Sequence, residues 1–238
     1  MDPADVSTDE AVFEAVAKLV ASREYLDDLY ARPGVHLPGG QQFLQLPGGP
    51  PRQILRRGSP EHQAAKAAGV IDPLPPLEPA TAAALEEAEA SVGHALPPLL
   101  RRLYREVANG GFGPGYGIFG LTGGHPDPPA NDALQSYRQW VEWGIPRSPL
   151  WPLCTWGCGI YSFVDLGGPP WTIWGHDPAA VRDEQWSAAF APQAITFAEW
   201  LGRWVDGKLF QPVLVQDETG GPCRAATDDE VREWLTAE

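Results

Sequence analysis

Cysteine is scarce in this chain. Its 238 residues include three Cys and one Met. An odd number of thiols argues against a disulfide framework and makes a reducing cytoplasm the default location. Long apolar runs are missing as well. No stretch of about 18 such residues exists to span a bilayer. The opening MDPADVSTDE is acidic and lacks the apolar core of a secretory signal. Positive charge is short: 17 Lys and Arg stand against 31 Asp and Glu, a net charge of −14. A field of that sign repels phosphate, which disfavours nucleic acid and anionic membrane as partners and suits a basic protein.

Catalytic frames are also absent. Neither Gly39-Gly40 nor Gly48-Gly49 is followed by the Lys-Ser/Thr of a phosphate-binding loop. No nucleophile has a base and an orienting group near it in sequence, and Cys223 sits alone in a Gly-Pro-Cys-Arg loop. The pairs Glu86/Glu87 and Asp27/Asp28 are adjacent residues, which do not face each other on a helix, so paired-carboxylate chemistry is unsupported. Cys154 and Cys158, with His125 or His176, offer the nitrogen and sulfur ligands that zinc takes. Their spacing straddles a glycine turn and no second pair exists, so they read better as small buried hydrophobes. The sequence therefore implies no cofactor, no metal and no enzyme.

What the chain has in quantity is tryptophan, ten in all. Most fall at core spacing. Trp143, Trp156 and Trp186 fall at turns or loops, and an exposed Trp beside acidic residues is a fair anchor for a partner.

The organising stretch is 77–121. An acidic segment with Leu85, Ala88 and Val92 at helical spacing reads as a helix that starts at Pro79 and ends at Gly93. A second helix restarts at Leu96-Pro97, carries Leu96, Leu99, Leu100, Leu103 and Val107, and stops at Asn109-Gly110-Gly111. Tyr116, Ile118, Phe119 and Leu121 follow as an expected strand. This order resembles the opening of the SUKH superfamily, which includes fungal cell-wall-assembly regulators and many bacterial toxin-immunity proteins. The matching positions are Glu89, Gly93, Leu96-Pro97, Leu100, Tyr104, Asn109-Gly110-Gly111 and Phe119 with Leu121. Trp156-Gly157-Cys158-Gly159 with the run from Ile160 to Asp165 is similar to a second block of the superfamily. Phe197-Ala198-Glu199-Trp200-Leu201 is similar to its late helix, and His176-Asp177 to the His-Asp after its last core strand. Read on its own, that pair is a turn in which Asp177 accepts from backbone N–H groups. Asp177 joins the three tryptophans as a partner-binding candidate.

The remaining elements are read from pattern. Residues 7–31 predict one helix, capped by Ser7 with Glu10 and ended by Arg32-Pro33-Gly34. Between two Leu-Pro-Gly-Gly phrases, 41–46 predicts a short strand. Arg52, Arg56 and Arg57 form a basic island expected to be a solvated loop. Residues 61–68 predict a short helix behind Pro60, and 72–76 a stiff linker. A helix over 133–143, capped by Asp132, has Leu134, Tyr137, Trp140 and Val141 on one face. Strands are expected at 150–155 and 160–166, the latter an inner strand, with a return at 171–174 across a four-residue loop. Thr196 and Glu199 cap a helix over 197–205, a strand is expected within 210–215, and Thr227 with Glu230 caps a last short helix carrying Val231, Trp234 and Leu235.

The expected fold is α+β, a mostly antiparallel, aromatic-rich sheet packed by helices. The expected organisation is an extension over 1–76 and a SUKH-like domain over 77–238. The resemblance implies a non-catalytic protein-binding domain, an immunity protein that neutralises a cognate toxin such as a basic nuclease. The alternatives are a regulatory or scaffold module for a cellular protein and, behind it, a metal-dependent hydrolase.

Overall fold

The computed structural model describes residues 3–38, 43–44, 52–126, 131–144, 149–181, 186–216, 221–227, 229–231 and 233. Gly39, Gly40, Gly48, Gly49, Trp234 and Leu235 lie outside them, as do the ends of the 41–46 strand. The first helix, α1 (Pro3–Ala21), leads into an antiparallel sheet built from β1 (Asp28–Ala31), β2 (Phe43–Leu44), β3 (Arg52–Arg56) and β4 (Ile71–Asp72) in the order β2-β3-β1-β4. Between β3 and β4 runs α2 (Pro60–Ala67), whose N-cap Ser59 accepts from the His62 N–H. Then come α3 (Ala82–Val92), α4 (Pro98–Glu106) and α5 (Ala133–Glu142). The second sheet is an antiparallel meander of β5 (Leu150–Gly157), β6 (Ile160–Asp165), β7 (Thr172–His176) and β8 (Phe190–Thr196), followed directly by α6 (Phe197–Val205). A two-stranded ribbon of β9 (Leu214–Val215) and β10 (Arg224–Ala225) follows, and helical residues at 229–231 and 233, behind Thr227 and Glu230, come last. The fold is α+β, with antiparallel sheets packed by helices.

Local chemistry explains the helices that pattern anticipates. Gly93 ends α3 in the left-handed conformation, φ +74°, that a Cβ disfavours. α3 starts at Ala82 and not at Pro79, because Thr81 is its N-cap and its hydroxyl accepts from the Ala84 N–H. Leu99, Leu100, Leu103 and Tyr104 bury one face of α4. Capping boxes fix α5 (Asp132 with Gln135) and α6 (Thr196 with Glu199). Phe197, Trp200, Leu201 and Trp204 are buried along α6. Each such side chain, taken fully out of water, stabilises by roughly 1.5–3 kcal/mol.

Further expectations are corrected. The helix of 7–31 stops at Ala21, and Ser7 lies inside it rather than at its cap. Residues 28–31 form β1 instead, since Leu29 and Ala31 alternate inward while pairing with β3 and β4. The basic island is a strand: Arg52 and Arg56 bound β3, Arg52 pairs with Asp72, and the Arg57 side chain is buried. The strand expected at 116–121 is an irregular glycine-bearing segment beside β5, where Tyr116 N–H donates to Thr155 O at 3.0 Å and Phe119 N–H to Leu153 O at 2.7 Å. Val141 lies on the wet side of α5, 54% exposed.

One hydrophobic cluster runs through both sheets. It includes Val16 of α1, Leu29 and Leu55 of the first sheet, Leu100 and Leu103 of α4, Trp151 of β5, and Leu201 of α6.

Candidate functional site

A face carrying two half-exposed tryptophans is built at the end of α5. Its capping box fixes where the helix begins, and that start sets where its last turn points. Trp140 points onto the meander and meets Tyr161, Phe163, His176 and Phe190 at centroid distances of 5.2, 5.3, 5.1 and 5.8 Å, three of them steeply edge-on. Such tilted pairs suit the ring quadrupole. One turn on, Trp143 lies edge-on to Trp140 at 5.2 Å and to Trp186 at 6.2 Å. Trp143 is 51% and Trp186 46% exposed. A continuous ladder of rings therefore leads from the buried sheet face out to water.

Of the sequence-predicted residues, Trp143 and Trp186 come together. Trp156 goes elsewhere: it lies beside Gly115, and its Nε1–H donates to Ser162 Oγ at 2.9 Å. Asp177 caps a short 3-10 turn, accepting from the Ala179 N–H at 2.9 Å, and it follows His176 of the aromatic cluster.

His176 is the polar member of that cluster. Its ring is 1% exposed. Nδ1 faces the Gly159 carbonyl at 2.9 Å and so carries the hydrogen; buried Nε2 has no hydrogen-bond partner among the described residues. Burial lowers the His176 pKa, against the raising effect of that carbonyl and of Asp177. The imidazole is therefore held neutral. Cys154 is buried in β5, while Cys158 is exposed at the turn, in a left-handed conformation of φ +51° between Gly157 and Gly159. Among the described residues, no group of three or more His, Cys, Asp or Glu could hold a metal ion.

Sequence pattern does not reveal one polar knot. Buried Asp27 accepts from Trp204 Nε1–H at 2.9 Å and from the Gly115 N–H at 3.3 Å. Arg57 stands 3.6 Å from Asp27, lies over the Trp204 ring at 4.5 Å, and donates to the Val205 and Trp204 carbonyls at 3.1 and 2.5 Å. It thus ties the first sheet to the C-terminal end of α6. Burial raises the Asp27 pKa and lowers that of Arg57, in each case against the attraction of the other. The available signal was only an Arg in a polar stretch, because its partners lie 147 and 148 residues away.

A helix-packed antiparallel meander with an exposed aromatic face defines an α+β recognition domain. The model of the SMI1 / KNR4 family (SUKH-1) matches residues 79–203, over half of the chain, and the chain belongs to that family. Membership supports a protein-binding role. No curated protein and no solved structure is significantly similar to the chain.

Proposed function

We propose that this chain is a non-catalytic immunity protein of the cytoplasm, which holds a cognate bacterial toxin with the chemistry of a basic nuclease and blocks it by occlusion. The observation that carries this reading is the exposed Trp143–Trp186 pair on a chain of net charge −14. Paired, rigid, half-exposed indoles are the side chains that dominate binding energy at interfaces. The acidity steers a basic partner and speeds encounter. Asp177, which follows His176 of the aromatic cluster, is assigned to the rim of the same contact; Trp156, beside Gly115, is not part of it.

The test is co-expression with the product of a neighbouring toxin gene, and capture of that product by the tagged chain. Growth rescue and a one-to-one complex are expected. Trp143→Ala with Trp186→Ala should weaken the complex by at least about 30-fold, some 2 kcal/mol. Rescue that survives the double substitution at full strength would remove the tryptophan pair from the interface. Capture of no protein at low salt would remove the immunity role.

A further inference from the structure

A concave site elsewhere on the molecule shares no described residue with the tryptophan pair. It is a pocket of about 460 Å³ where the starts of α4 and α6, the β6–β7 connection and α1 meet. That volume falls in the range of about 300–1,000 Å³ usual for binding pockets. Pro97, Pro98, Pro169 and Pro170 form much of its wall, with Trp171 beside them. Trp171 is held at φ +58°, a left-handed conformation rare for a bulky residue. Two hydrogen bonds fix it there: its N–H donates to Gly168 O at 3.2 Å, and its carbonyl accepts from the Phe197 N–H at 2.9 Å.

The wall chemistry selects a class of ligand. Proline has no N–H, so a wall of four prolines offers methylenes and carbonyl oxygens but few backbone donors. Among the described residues the charged lining side chains are Asp9 and Glu199, and no Lys, Arg or His lines the pocket. The first turns of α4 and α6 bring N–H donors to the wall, but the two carboxylates repel a carboxylate or phosphate. An ammonium or guanidinium, which only donates, finds acceptors, carboxylates and an indole face. Its aliphatic stem finds the proline rings. The cavity exceeds one side chain, which leaves room for neighbouring apolar residues.

We propose that this pocket docks an arginine or lysine side chain carried on an extended apolar segment of a protein partner. The site stands on its own chemistry, whether or not that partner is a toxin.

Three pools of octapeptides test it, each with randomised flanks and a fixed central Arg, citrulline or Glu, passed over the immobilised full-length chain. Citrulline keeps the shape of arginine without the charge. The Arg pool should be retained about 10-fold better than the citrulline pool, and the Glu pool least. In a nitrogen-15-labelled chain the Trp171 indole signal, identified by its loss in Trp171→Phe, should move with the Arg pool. Asp9→Asn with Glu199→Gln should abolish the Arg preference. Both substitutions are close in shape, and Gln still serves a capping box. Ala198→Leu, which narrows the pocket, should lower retention about 10-fold. Equal retention of the Glu pool, a Trp171 signal that stays still, or an Arg preference that survives the charge-removing pair would each overturn the proposal.

Discussion

Arg57 is the residue on which the most depends. Its guanidinium satisfies two carbonyls at the end of α6, faces Asp27 and covers Trp204. Truncation leaves two carbonyls of α6 without their donor and leaves Asp27 with Arg56 alone, 3.7 Å away and mostly exposed. Breaking a buried pair costs about 3–5 kcal/mol. Arg57→Ala should lower stability by roughly that much in urea titration. Arg57→Lys should recover less than half of it, because an ammonium cannot span two carbonyls and stack on an indole together. His176 sets a pH dependence. Its folded pKa lies below the unfolded value of about 6.5, so the unfolded chain binds the proton first. Its contribution is complete above about pH 6.5 and is lost as pH falls from there toward the folded pKa. His62 and His125 are lowered by burial as well and act in the same direction. The urea midpoint should drop between pH 7.5 and 5.5, and His176→Phe should make that drop smaller. An unchanged drop would show that the other two histidines carry it.

Among the elements, the glycine-bearing segment after α4 is the least tolerant. A Cβ on Gly120 would stand 2.3 Å from His125 N and 2.4 Å from Asn109 O, with backbone on both sides. Gly93 contrasts with it: its φ of +74° is strained for alanine, but nothing lies within 4 Å of the added atom. Gly120→Ala should therefore cost about 3 kcal/mol or more, and Gly93→Ala about 1, read as shifts of the denaturation midpoint. These differences also mark what sequence makes legible. The caps of α5 and α6, Gly93, the leucine stripe of α4 and the aromatic strands β5 and β6 are short-range features, and each is where its pattern puts it. Leu26 and Leu29 fit a helical stripe as well as a strand, and only pairing with β3 decides for β1. β8 was invisible because Pro192 and exposed Ala194 interrupt its alternation; it exists through pairing with β7. Of the candidate site, the exposure of Trp143 and Trp186 was readable from their position at turns. Their contact was not, since it joins a helix end to a distant loop. The Asp27–Arg57–Trp204 knot was hidden for the same reason.

Across the whole molecule, the first 76 residues and the family-matching region share one apolar core. α1 packs against α4 and α6, and Arg102 both pairs with Glu10 and lies 3.6 Å over the Phe13 ring. A chain starting at Leu77 would strip the cover from α4 and α6 and leave Asp27's partner Trp204 unpaired. It should be recovered insoluble, or soluble without near-ultraviolet circular dichroism. A cooperative unfolding transition in that fragment would establish 77–238 as a separate folding unit. Charge acts on the same scale. If the partner is basic, its association rate should fall steeply as salt rises from about 0.05 to 0.5 M, while dissociation changes little.

The turn joining β5 to β6 has a practical use. Of the three sulfhydryls, Cys154 is 0% and Cys223 7% exposed, while Cys158 stands in solvent. A maleimide dye would mark the native molecule at that one position without any engineered handle. Its emission would then report, in real time, any macromolecule that settles against that edge of the meander.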